Sequence, residues 1–120
     1  MVVLGNINAA IPREFFVRRI ATFPVRVALP ETHPLAGSDE VELTDLRKEM
    51  FVGANADDIP GFNNWLVQFC RRAGFRPKIV ENAESITQTL SLLLAENAVA
   101  LLPELVERVQ VPGVTFRPLR

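Results

Sequence analysis

The chain has 120 residues and a mass of 13.4 kDa, one domain's worth of polypeptide. Hydrophobic residues make up 48% and charged residues 22%, near the globular average, which argues against disordered and fibrous classes. The 13 Lys+Arg against 14 Asp+Glu leave a formal net charge of −1 and a pI of about 5.8, without the basic excess of a protein that grips nucleic acid by itself.

A single cysteine, Cys70, rules out an intrachain disulfide, and with one histidine beside it a multi-cysteine zinc site as well. No cofactor motif is present: there is neither a G-x-x-x-x-G-K-[ST] loop nor a G-x-G-x-x-G turn. No apolar run approaches the roughly 18 residues of a membrane helix. The start, M-V-V-L-G-N, lacks the basic n-region of a secretory signal, so a reducing cytoplasm is the expected compartment and no membrane partner is expected.

In chain order, residues 2–4 and 15–20 read as weak strands. Residues 25–29, V-R-V-A-L, are apolar at alternate positions, stop at Pro30 and read as a better one. A proline-rich loop follows to Gly37, then a short helix from an N-cap at Thr44 to Glu49, then a buried strand over 50–52. From Gly61 to Ala73, apolar residues at 62, 65, 66, 69, 70 and 73 mark one stripe of an amphipathic helix, with Gly74 placed for a left-handed cap. Residues 78–80 read as a strand. Ser85 and Gln88 fit a capping box opening a second helix, which Asn97 can end in a left-handed conformation. A strand over 99–102, a short helix over 103–109 and a strand over 114–116 complete the chain. Strands alternating with helices predict an α/β fold with a partly parallel sheet.

Five passages then stand in a familiar order: P-V-R-V-A-L-P-E-T-H-P-L-A over 24–36, V-E-L-T-D-L over 41–46, F-C-R-R-A-G-F-R-P over 69–77, the capped helix running from Ser85 to V-A-L-L-P at 99–103, and G-V-T-F-R-P-L over 113–119. Together they resemble the effector-binding module of LysR-type transcriptional regulators. The resemblance implies a periplasmic-binding-protein-like lobe, with a mixed, mostly parallel sheet flanked by helices. It implies residues 1–24 as a remnant of a first lobe and hinge, 25–109 as the second lobe, and 110–120 as a strand returning to the first. The family's DNA-binding helix-turn-helix has no counterpart in these residues. At 95–98, A-E-N-A stands where the family usually has a glycine-containing turn.

Two helix N-termini offer unpaired N–H groups to an anion, Gly61-Phe62 and Ser85-Ile86. By resemblance, the loop after the 50–52 strand faces the effector cleft. There Asn55 would hydrogen-bond an effector, Gly61 would admit it close to the backbone, and Phe62 would pack on its apolar part. Each has a plainer reading: Asn55 shapes a turn, with Asp57 and Asp58 nearby to oppose an anion, Phe62 belongs to the buried stripe, and Ser85 only caps. Cys70 lies on the apolar stripe and His33 in a turn, which speaks against a small hydrolase built on either. The expectation is a non-catalytic module that takes a small anionic metabolite and works as a homodimer, reaching DNA only through a separate helix-turn-helix. The alternative is an interaction or dimerisation module without a ligand.

Overall fold

The computed structural model describes residues 24–120. The strands expected at 2–4 and 15–20, and the proposed remnant of a first lobe at 1–24 apart from Pro24, lie outside the described residues. Five strands follow: β1 (Val25–Pro30), β2 (Met50–Ala54), β3 (Lys78–Ala83), β4 (Ala100–Pro103) and β5 (Val114–Pro118). The helices are α1 (Phe62–Arg71) and α2 (Ile86–Glu96).

The strands β4-β1-β5 form an antiparallel ribbon, with Val27 opposite Leu101 on one side and Arg117 on the other. The strands β2 and β3 pair in parallel, with one residue of β3, Val80, skipped in the register. A parallel bridge between Phe51 and Val99 joins the two parts, with the Val52 N–H donating to the Val99 carbonyl at 2.9 Å. The sheet is mixed, as expected, but its parallel share is smaller than predicted. β1 runs antiparallel to both neighbours because only β2, β3 and the start of β4 are linked through crossover helices.

In the segment expected to return to a first lobe, β5 pairs with β1 over five residue pairs and is at the edge of the ribbon among the described residues. Its end is tied down by the Val41–Leu119 bridge and by the Arg120 N–H donating to the Val41 carbonyl at 2.9 Å. Arg26 on β1 reaches Glu104 at 3.1 Å and also bonds Glu107, pinning the turn after β4 to the ribbon.

Both helices form for the reasons visible in the chain. In α1, Phe62, Leu66 and Cys70 recur every fourth residue and point inward, while Trp65 and Phe69 lie half-buried beside them with rings 5.0 Å apart. Gly74, at φ 87°, turns the chain out of α1. In α2, Ser85 Oγ accepts from the Gln88 N–H at 3.0 Å, and Gln88 Oε1 accepts from the Glu84 N–H at 2.6 Å. Asn97, at φ 53°, ends it. Its neighbour, Ala98, donates back to the Leu93 carbonyl at 2.9 Å, a Schellman closure.

The short helices expected at 44–49 and 103–109 are 3-10 turns, Leu43–Leu46 and Glu104–Arg108, the first with Glu42 rather than Thr44 at its N-cap. Leu43 and Leu46, three apart, suit the three-residue turn. The core gathers Val27, Leu29, Phe51, Leu66, Leu90, Leu93 and Leu101, all fully buried.

Candidate functional site

Parallel strands leave a crevice beyond their C-terminal ends, where the following loops diverge. Here β2 ends at Ala54 and β3 at Ala83, and the loop from Asn55 to Gly61 leads into α1. A cleft of about 420 Å³ opens at this place, lined by Ala54, Asn55, Ala56, Ile59, Gly61, Asn63, Asn64 and Asn82.

The loop is self-supporting. The Asn55 N–H donates to the Ala83 carbonyl at 2.8 Å, and the Asn55 carbonyl accepts from Asp58 at 3.1 Å and Ile59 at 2.9 Å. Asn55 Oδ1 also accepts from the Asp57 N–H at 2.9 Å, the turn-shaping role foreseen for it. Ile59 is buried and plugs the loop onto the core. Gly61, at φ 81°, takes the N-cap position of α1 in a left-handed conformation that a side chain would strain. With glycine there, no side chain caps the first turn: the Phe62 N–H donates to the Ile59 carbonyl at 3.4 Å, and the N–H groups of Asn63 and Asn64 keep their partial positive charge beside the cleft.

Of the residues singled out by sequence, Asn55 and Gly61 come together on this cleft. Phe62 is turned into the core, 3% exposed, in ring contact with Trp65 at 5.6 Å. Ser85 is engaged as the cap of α2, and Ile86 is buried at 1% exposure. Neither lines the cleft. The two helix ends thus differ: α2 is closed by its own capping box, whereas α1 has no side-chain cap.

Sequence reasoning missed Asn63, Asn64, Asn82 and Gly53. Asn63 Oδ1 accepts from the Ala54 N–H at 2.8 Å, and Asn63 Nδ2 donates to Asn82 Oδ1 at 2.8 Å. Two signals could have found them. Paired asparagines are poor helix formers and suggest a task in the first turn of a helix. A glycine inside a strand marks close approach of another group.

The groups an enzyme would need are committed elsewhere. His33 Nδ1 accepts from the Leu35 N–H at 3.0 Å, so the ring proton sits on Nε2 and is donated to Glu49 at 2.9 Å. Cys70 is fully buried, and burial pushes its thiol from 9.0 up to about 12. Among the described residues no group of three His, Cys, Asp or Glu side chains could hold a metal ion. No helix there is long and apolar enough to cross a membrane.

A family model described as the LysR substrate binding domain matches residues 2–120. The chain belongs to that family. AlsR of Bacillus subtilis, an HTH-type transcriptional regulator, is 30% identical over 96% of this chain. TtuA of Agrobacterium vitis, another, is 29% identical over 89%. These relatives are transcriptional regulators, not enzymes, and the LysR-family chain spans only 40% and 35% of their lengths. Among solved structures, the BenM effector binding domain with its effector benzoate aligns with a TM-score of 0.71 at 25% identity, covering 81% of this chain and 45% of that one. CbnR, a LysR family transcriptional regulator, aligns with a TM-score of 0.70 at 21% identity over 82% of this chain and 34% of its own, and shares the fold. The LysR chain therefore has the periplasmic-binding-protein-like α/β fold expected from its motifs.

Proposed function

We propose that this chain is the effector-sensing part of a LysR-type transcriptional regulator, and that the cleft at the ends of β2 and β3 is one wall of its effector site. The observation that carries the reading is the open first turn of α1, with Gly61 and the asparagines beside it, on a cleft of about 420 Å³. The N–H groups of Asn63 and Asn64 at a positive helix end suit a small anionic metabolite. Benzoate, the effector of BenM, is such an anion. Asn55 and Gly61 are the contacts predicted from sequence that this reading keeps, and Asn63, Asn64 and Asn82 join them. Phe62, Ser85 and Ile86 would act from behind, as the packing and capping that hold the wall.

The mechanism is a population shift: a ligand touching two lobes stabilises one closure state, and only its differential affinity moves the regulator. The effect reaches DNA through a helix-turn-helix outside these residues, in the cytoplasm. One wall gives half the contacts, so this chain binds effectors weakly. Calorimetry with a panel of small carboxylic acids is expected to show weak, saturable binding. Sub-micromolar affinity would overturn the shared cleft, and no saturable binding by any acid would overturn the effector site itself.

A second copy is the expected protein partner. The half-buried Trp65 and Phe69 on α1 favour such a homodimer, since aromatic side chains left partly uncovered suit a protein contact. Light scattering that gave only the 13.4 kDa monomer at high concentration would remove it.

A further inference from the structure

The asparagines of the cleft are joined by hydrogen bonds whose direction is set from one end. A backbone N–H can only donate, so the Asn63 atom 2.8 Å from the Ala54 nitrogen is the amide oxygen. Asn63 must then present its Nδ2 to Asn82, and the Asn82 atom accepting at 2.8 Å is its Oδ1. The Asn82 carboxamide is thereby held with its own Nδ2 free of any partner among the described residues. Asn55 is set in the same sense, because the Asp57 N–H occupies its Oδ1 at 2.9 Å and leaves its Nδ2 over.

Three amide oxygens are thus engaged by the protein's own donors, while the Nδ2 groups of the half-buried Asn55 and the exposed Asn82 are left to water or to a ligand at the cleft. Asn64, exposed like Asn82, lacks the hydrogen bond among the described residues that would fix its direction, so it turns either way and carries no discrimination. No charged side chain lines the cleft.

Gly53 makes this arrangement possible. A Cβ there would lie 2.3 Å from Asn63 Oδ1 and 2.8 Å from Asn82 Oδ1, so no side chain fits while both amides stay in place. Its backbone is not in the left-handed region, so the glycine is there for space and not for conformation.

We propose that Asn63 is a positioning residue that orients Asn82, so that this wall selects ligand groups bearing oxygen acceptors through neutral N–H donors and rejects groups that present N–H donors of their own. The proposal rests on the effector-binding reading above and names the ligand chemistry of that site. A ligand seated here displaces the water on these amides; donor facing donor then leaves two polar groups without partners, and that penalty supplies the discrimination.

The test is a titration of the ¹⁵N-labelled chain with three compounds on one ring: benzoate, benzamide and benzylammonium. The side-chain NH₂ signals of Asn55 and Asn82 report binding even when it is weak. Benzoate is expected to move them at a concentration about tenfold below benzylammonium, with benzamide between. The order should persist in high salt, which screens plain charge attraction. Asn63→Ala frees Asn82 to turn over, and the preference falls several-fold. Gly53→Ala does the same by displacing Asn63 without removing an amide. Asn82→Asp keeps an acceptor toward Asn63 but puts an acceptor outward too, and the order reverses. Thermal melts establish that each variant is folded.

An Asn63→Ala protein that is folded and keeps the full preference would overturn the positioning role, and Asn82→Asp then reads the same point independently. Equal shifts from benzoate and benzylammonium in the wild-type chain would overturn the ligand chemistry while leaving the site standing. Shifts confined to residues away from the cleft, or none from any compound, would overturn the effector site together with the proposal.

Discussion

Cys70 is a sensitive probe of whether α1 is packed as described. Its side chain is fully buried on the stripe with Phe62 and Leu66, and burial lifts the thiol to about 12. At pH 8 a thiol at its ordinary value of 9.0 is roughly one-tenth ionised, whereas one at about 12 is ionised in roughly one molecule in ten thousand. The thiolate is the reactive species, so ionisation alone slows alkylation by about a thousandfold. Shielding slows it further, and labelling then proceeds through transient opening of the core.

The assay compares iodoacetamide labelling at pH 8 in the native chain and in urea. Native labelling is expected to be at least about a thousandfold slower. The same burial makes stability fall with alkali: above pH 9 the unfolded thiol loses its proton while the folded one keeps it, so the unfolded state binds fewer protons. Between pH 9.0 and about 12 the slope approaches about 1.4 kcal/mol per pH unit for this group, and Cys70→Ala removes it at a cost of about 1–2 kcal/mol at neutral pH. Rapid stoichiometric labelling of the folded chain, or an alkaline loss unchanged in Cys70→Ala, would refute this picture of α1 and reopen a nucleophilic cysteine.

Two helix ends give further tests by thermal or urea unfolding. Ser85→Ala removes the acceptor of the Gln88 N–H and is expected to cost about 1 kcal/mol. Asn97 ends α2 at φ 53°, so Asn97→Ala should cost about 1 kcal/mol, whereas Asn97→Gly is expected to be neutral or slightly stabilising.

Much of this protein was legible before any fold was known, because its signals are local. The stripe from Phe62 to Cys70, the capping box at Ser85 and Gln88, the left-handed stops at Gly74 and Asn97, and the strands before Pro30 and Pro103 each depend on residues within a turn or two of one another. The order of five weak motifs was enough to reach the family, which the match over 2–120 shows. What the chain order could not disclose was long-range pairing. Nothing near Val25 or Val114 says that β1 and β5 run antiparallel as neighbours, or that Val99 bridges Phe51.

The cleft shows the same division more sharply. Asn55 and Gly61 could be picked out because they sit in one loop whose turn chemistry is written locally. Asn82 stands 19 residues from Asn63, on another strand, and becomes its partner only when β3 lies beside β2. Gly53 acquires its meaning only there, as the vacancy that lets two amides meet. Composition and periodicity settle the two longer helices and the strands between them, since those follow from backbone geometry and nearest neighbours, while the short helices expected at 44–49 and 103–109 are 3-10 turns. The direction in which an amide faces is decided by a donor brought from elsewhere in the chain, and so belongs to the tertiary structure alone.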